Sequence, residues 1–366
     1  MSDTALLQTP LHHLHTQLGA RMVAFADYSM SVQYPLGLMA EHKHTRNDAG
    51  LFDVSQMGQL RLHGKNAATT LETLVPMDVV GLGVGKQRYG LLLNEQGGIM
   101  DDLMFVNQGD DIFIVVNGAC KAQDMAHIQS HIGHLCGVIP MPERALLALQ
   151  GPQSAIALSE FIPNVSRLVF MTGAHFQWRS CDLFITRSGY TGEDGFEISI
   201  DEQHASDFVQ ALIELQQVKA IGLGARNSLR LETSLCLYGN DIDTLTTPVE
   251  AQLQWALQKV RRSGGELEGG YLGAQKVLAQ LDAASALQGQ RVGLVSQERI
   301  PVREHVELQE LHGNRIGEIT SGLLEPTVDT PIAMGYVTPS QSQLGNTVYA
   351  MVRGKAVNMV VSTMPF

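Results

Sequence analysis

"QRYGLLLNEQGGIMDDLMFVNQGDDIFIVVNG" runs from Gln87 to Gly118, and its reading decides the fold. Three apolar segments, "QRYGLLLN", "IMDDLMFVN" and "IFIVVNG", are separated by the turn-forming "EQGG" and "QGDD". Strands joined by such short glycine-containing turns form an antiparallel meander. The flanking stretches read as helices: "NAATTLETLVP" before it and "CKAQDMAHIQSHIG" after it. A sheet with helices inserted between strand pairs is an α+β layout. Inside the central strand, Asp101 and Asp102 stand side by side between apolar neighbours. Successive strand side chains point to opposite faces, so the two carboxylates cannot share one environment. One is solvated or bonded at the Gly97-Gly98 turn. The other faces inward and needs a partner or a ligand.

Outward from this core the pattern is mixed. Thr9 to Leu18 reads as a helix, "RMVAFADYSMSVQY" as a short strand and "LGLMAEHKHTRNDAG" as a helix stopped at Gly50. "CDLFITRSGYTGEDGFEISI" mixes strands and turns, and "ASDFVQALIELQQ" is an amphipathic helix. "SGGELEGG", Ser263 to Gly270, is the most linker-like stretch. After about Gln288 the texture changes to short strands and turns, the mark of a small all-β barrel or sandwich.

The 366 residues are 44% hydrophobic and 17% charged, enough to bury a large core in two or three domains. A formal charge of −12 argues against nucleic acid as partner. No apolar run is long enough to span a bilayer, so no membrane role is expected. The first residues carry neither a basic start with an apolar run nor the character of an organelle presequence, and the expectation is a cytoplasmic protein. Four scattered cysteines without C-x-x-C indicate reduced thiols. "GLGVGK", Gly81 to Lys86, is one residue too short for a phosphate loop, and "GLGAR" lacks a third glycine. His127, His131 and His134 share one helix face and read as exposed residues rather than a metal site; the clusters around His12–His15 and His42–His44 look equally surface-like. There is no G-x-S-x-G elbow. "RSGYTGEDGFEIS", Arg187 to Ser199, resumes strand alternation after Gly195, so Glu197 faces away from Phe196 and Ile198. A carboxylate there suits an edge of exocyclic amine and ring N–H. Arg226 and Arg230 at i and i+4 read either as a salt-bridged helix or as an anionic-tail clamp.

The ordered set "FDVSQMG", "GGIMDDL", "ALQGP", "GYTGEDGFE", "GARNSLRLE", "CLYGNDID", "TTPVE", "EITSG" and "AMGYV" resembles the aminomethyltransferase (T-protein) family of the glycine cleavage system, from about Thr9 to Phe366. The resemblance implies a three-domain cloverleaf around a central folate channel: residues 1–52 with 143–287 as a discontinuous α+β folate-binding domain, 53–142 as a ferredoxin-like α+β domain carrying Asp102, and 288–366 as a C-terminal β-barrel. It implies transfer of a one-carbon unit from the aminomethyl-dihydrolipoyl group of a lipoylated H-protein to tetrahydrofolate, as co-substrate and without a metal. Ammonia and 5,10-methylenetetrahydrofolate are released. Asp102 is then the catalytic residue, and Tyr89, Met104, Val115, Asn117, Tyr190, Glu197, Arg226 and Trp255 line the folate site, with Glu197 reading the aminopyrimidine edge. The alternatives are a folate-dependent demethylase of a small methylated amine or sulfonium compound, and a folate-binding regulatory protein without activity. The chain departs from the family pattern at Gln56 (usually His), at Asp27-Tyr28 (usually Gly-Trp) and at Asn227 (usually Asp). Family members often continue beyond the position of Phe366, with an arginine reaching the folate. The expectation here is weaker tail-carboxylate binding or another basic residue in its place. Lys259, Arg261 and Arg262 form a basic cluster suited to an acidic carrier protein.

Overall fold

In the computed structural model, which describes residues 5–283 and 287–366, the meander is present. Strands Gln87–Leu93, Ile99–Asn107 and Asp111–Val116 are successive neighbours, extended by Gly58–His63 and Gly137–Pro140 into a five-stranded sheet. The chain divides into two units: Met1–Thr70, Gly81–Tyr89 and Leu103–Leu229 in the first; Leu71–Val80, Gly90–Asp102 and Arg230–Phe366 in the second.

The first unit holds a six-stranded sheet in the order Gly173–Trp178, Cys181–Thr186, Gly195–Asp201, Arg144–Gln150, Ala49–Asp53, Val218–Ala220. Both of its faces are covered, which explains why its central strands Gly195–Asp201, Arg144–Gln150 and Ala49–Asp53 are buried along most of their length. On one face Leu147, Leu149, Ile185, Phe196 and Ile198 pack with Phe208 and Leu212 of the helix Glu202–Ile213. That helix starts where the Asp201 carboxylate accepts the Gln203 N–H at 2.9 Å. On the other face Leu146, Ala148 and Phe184 meet Val106, Phe113 and Val115 of the meander.

"RMVAFADYSMSVQY" is a hairpin, Arg21–Phe25 with Tyr28–Gln33, rather than one strand. Its turn residues Ala26 and Asp27 have φ of 48° and 65°. That left-handed region is glycine's by default and is tolerated by aspartate, which accounts for Asp27 at a position the family gives to glycine. Tyr28, a further departure, meets a cation, which also bonds to the backbone at Gln56 through a carbonyl that any residue there would offer. Lys121 Nζ donates to Tyr28 Oη at 2.7 Å and to the Gln56 carbonyl at 3.0 Å.

In the second unit the strands Gln290–Ser296, Thr330–Val337, Arg315–Glu325, Glu307–Gln309, Thr347–Val352 and Lys355–Ser362 close in that order into a barrel. Val292, Leu294, Ile319, Val348, Ala350 and Met359 fill it. Of the barrel and the sandwich, the barrel forms: closure removes the edges that short strands would otherwise expose.

Candidate functional site

In the first unit two sheet faces oppose each other across a cleft. The alternation of strand side chains supplies both walls. From the meander come Gln87, Met104, Val106, Phe113 and Val115; from the six-stranded sheet come Leu146, Phe184, Thr186, Glu197 and Ser199. In the ladder Glu197 lies opposite Ala148 on one side and Thr186 on the other. Its two strand neighbours, Phe196 and Ile198, turn into the core on the opposite face. Burial raises the Glu197 carboxyl above its ordinary value, and the charge of Arg226 opposes that rise. Arg226 in turn has its basicity lowered by burial, against the pull of Glu197 and Tyr190. Its guanidinium stands 4.7 Å from the centre of the Tyr190 ring. Nη1 is buried without a hydrogen-bond partner among the described residues.

Two connections hold this constellation. The helix Leu223–Glu232, which carries Arg226, is fastened to the helix Leu38–Asn47. The Glu41 carboxylate accepts the Gly222 N–H at 2.8 Å and the Tyr34 N–H at 2.6 Å, and His42 Nδ1 lies 2.8 Å from Ser228 Oγ. The loop carrying Tyr190 is wrapped around Gln150. The Gln150 amide donates to the Ser188 carbonyl at 3.0 Å and accepts from Thr191 Oγ1 at 3.0 Å. A Cβ on Gly189 or Gly195 would strike the Gln150 side chain, at 1.7 and 2.5 Å. The glycines of "GYTGEDGFE" are thus the counterpart of the glutamine of "ALQGP".

In the second unit Asp101 is 0% exposed and Asp102 is half-buried. Asp101 is therefore not the solvated member that one reading of the pair allowed. Their strand is positioned at its start. The Ile99 N–H bonds to the carbonyls of Asp243 and Thr246 at 3.1 and 3.0 Å. A Cβ on Gly98 would lie 1.8 Å from the Thr244 carbonyl oxygen, so only glycine lets the two backbones meet. "GGIMDD" and the segment after "LYGNDID" are in this way one construction. Asp102 is near enough to Cys236 for its charge to matter. Burial, with Asp241 and Asp102 adding to it against Arg291 and Arg230, pushes the Cys236 thiol up to about 12, so it is no nucleophile.

Arg230 does not act with Arg226 as a clamp. It is 2% exposed and bonded at 2.6 Å to Asp241, with a second bond to Ser321 Oγ at 2.8 Å. Asp241 also accepts from Thr320 and Ser321, while Tyr336 donates to the Asp241 carbonyl. The "RLE", "LYGNDID", "EITSG" and "AMGYV" segments converge there as a buried polar network. The basic cluster also dissolves. Arg261 is buried against Glu72 and Arg262 holds the carbonyls of Leu257 and Gln254, leaving Lys259 exposed.

The remaining expected folate residues are distributed. Tyr89 is half-buried on Gln87–Leu93, Asn117 is half-buried just after Asp111–Val116, and Trp255 is 62% exposed in the second unit. Two histidines expected at the surface are buried. His15 bridges Asp53 and Tyr34 at 2.8 Å each, and His42 is held on Ser228. His134 lies beyond the helix Lys121–Ile132 that carries His127 and His131. Gln87 lines the cleft and was not singled out in the sequence. Its signal there is slight: a lone amide opening an apolar strand, on the face that Tyr89 shares by parity.

Two family models match: the GCVT N-terminal domain over residues 11–261, and the glycine cleavage T-protein C-terminal barrel domain over 290–366. The chain is 42% identical to the mitochondrial aminomethyltransferase of Solanum tuberosum, covering 100% of this chain and 91% of that one. It is 39% identical to that of Dictyostelium discoideum, over 100% and 93%. Among solved structures it is similar to the glycine cleavage system aminomethyltransferase T from Bartonella henselae, with a TM-score of 0.92 and 40% identity over 98% of each chain. The names of the two eukaryotic relatives overturn the expectation of a cytoplasmic protein. Compartment is addressed by separable segments, and composition and packing do not report it.

Proposed function

Because the chain belongs to the glycine cleavage T-protein family, we propose that the cleft of its first unit receives the pterin of tetrahydrofolate and that Asp102 assists the transfer chemistry. The chain is an aminomethyltransferase of the glycine cleavage system. Neither a demethylase nor a regulatory binder finds support among these relatives. The compartment that goes with this reading is mitochondrial, as in the eukaryotic relatives.

The observation that carries the folate reading is the buried carboxyl of Glu197 on the wall of a mostly apolar cleft, close enough to Arg226 to feel its charge. Val106, Phe113, Val115 and Phe184 give the cleft its apolar lining, with Phe113 and Phe184 packed edge-to-face on each other, while Glu197 suits the N–H-bearing edge of a ring. Arg226, stacked on Tyr190 and with Nη1 open, offers the cation to an oxygen or carboxylate of the ligand. Met104 and Val115 belong to the cleft walls, and Tyr89, Asn117 and Trp255 are proposed as further contacts. The three-domain division at 1–52 with 143–287, 53–142 and 288–366 goes with this reading.

The carrier proposed is the lipoylated H-protein. Its aminomethyl carbon loses its bonds to the dihydrolipoyl sulfur and to the amine, and gains two bonds to folate nitrogens. Two N–H protons of the folate move to the sulfur and to the departing ammonia. Asp102 is the group proposed to assist that proton movement. Holding folate nitrogen against the reacting carbon supplies much of the rest of the rate. No metal is part of the reading.

The test is ammonia release from aminomethylated H-protein, with and without tetrahydrofolate. Release that rises with tetrahydrofolate is expected. In Asp102→Ala it should fall by about 100-fold or more, with folate binding still measurable. Undiminished turnover would remove Asp102 from the mechanism, and no release from the unaltered protein would leave only a binder.

A further inference from the structure

Four polar side chains line the cleft of the first unit: Gln87, Thr186, Glu197 and Ser199. Two hydroxyls among them are already engaged. Thr186 Oγ1 lies 3.1 Å from Ser188 Oγ, and Ser199 Oγ accepts the Arg144 Nε–H at 2.9 Å. Gln87 differs. It is 6% exposed, its backbone N–H is committed to the Met171 carbonyl at 2.9 Å, and its Oε1 is buried with no hydrogen-bond partner among the described residues. A buried acceptor left open costs free energy that apolar side chains of the same shape would not. Gln87 opens a strand that continues as Leu91, Leu92 and Leu93, all buried, so an apolar residue would be at home at that end. An amide kept there, on the wall of the cleft and with its acceptor open, is explained by a donor arriving with a ligand.

We propose that Gln87 is a specificity-determining residue whose Oε1 accepts an N–H from the edge of the bound pterin, alongside Glu197. This rests on the reading of the cleft as the folate site and extends it. Glu197 answers the part of the edge that suits a carboxylate. Gln87 supplies a neutral acceptor, which takes one N–H without adding a second negative charge to a cleft where Glu197 is already raised by burial. A ring of the same shape without N–H donors would leave both acceptors unpaired. The site therefore rejects it by more than the hydrogen bonds alone would gain.

The experiment compares Gln87→Met and Gln87→Leu, two apolar replacements of different shape, with Glu197→Gln and the unaltered protein. Tetrahydrofolate affinity is measured by calorimetry and the ligand-free Tm by thermal unfolding. The expected signature is opposed directions. The ligand-free Tm stays or rises, because the open acceptor is gone, while tetrahydrofolate binds roughly tenfold more weakly. A glutamine with a merely structural part would lose Tm and affinity together, and that outcome overturns the proposal. So does unchanged affinity in both Gln87 variants while Glu197→Gln binds more weakly. If Glu197→Gln binds as well as the unaltered protein, the cleft is not the folate site, and both readings fall.

Discussion

A carboxyl raised by burial and a carboxyl lowered by a partner behave oppositely with pH, and the first unit contains both kinds, Glu197 among the former and Asp53 among the latter. Glu197, with an ordinary value of 4.5, is raised by burial despite Arg226. Its neutral form is the one the fold prefers. The stability it contributes is present below pH 4.5 and lost as pH rises through the raised value. Glu197→Gln should therefore be more stable than the unaltered protein at neutral pH, with the difference vanishing in thermal scans near pH 4. Folate affinity should fall about tenfold or more. A lower Tm at pH 7 would contradict the burial argument. Asp53 has an ordinary value of 3.8; burial would raise it, but the bond and charge of His15 hold it below. Its contribution is present above pH 3.8 and lost as pH falls through the lowered value. Asp53→Asn leaves His15 and Tyr34 without their buried anion and should cost about 3 kcal/mol in urea unfolding at neutral pH. Equal midpoints would show that the His15 bridge adds nothing. The motif letters mark Asp102, Glu197 and Arg226. They leave Gln87, His15 and His42 unmarked, because burial of a polar side chain depends on which distant segment covers it.

Elements here are positioned by contacts between segments far apart in the chain. The strand bearing Asp101 and Asp102 is seated where Gly98 touches the Thr244 carbonyl and Ile99 bonds to the same loop. Gly98→Ala places a methyl 1.8 Å from that oxygen and forces the loop or the strand aside. The expected loss is about 1–3 kcal/mol by thermal unfolding, with turnover reduced further than the stability loss explains. A fully active Gly98→Ala would mean that the seat does not set the Asp102 strand. The helix bearing Arg226 is held by Glu41 and His42. Those contacts join residues 181 and 186 positions apart, which no local periodicity reveals. Strands and turns of the meander were legible because period-two alternation and glycine turns are local properties. The hairpin at Ala26-Asp27 was missed because neither turn residue is a glycine.

At the scale of the whole molecule, binding to the folded state alone raises its stability. Tetrahydrofolate at about 100 times its Kd should stabilise the protein by about 2.7 kcal/mol, read as a concentration-dependent rise in Tm. Asp102→Ala should retain that rise while losing turnover, which separates holding the ligand from acting on it. A rise absent from both proteins would count against a folate site anywhere in the chain. Taken alone, the sequence determined the α+β class, the C-terminal all-β module and the family, since these follow from periodicity and from ordered motifs along one dimension. Tertiary structure decided that Arg230 belongs to Asp241 rather than to a ligand, that Arg261 is buried against Glu72, and that Gln87 opens onto the cleft. The reason is physical: the charge state and partner of a side chain depend on what is packed over it, and packing joins residues far apart in the chain.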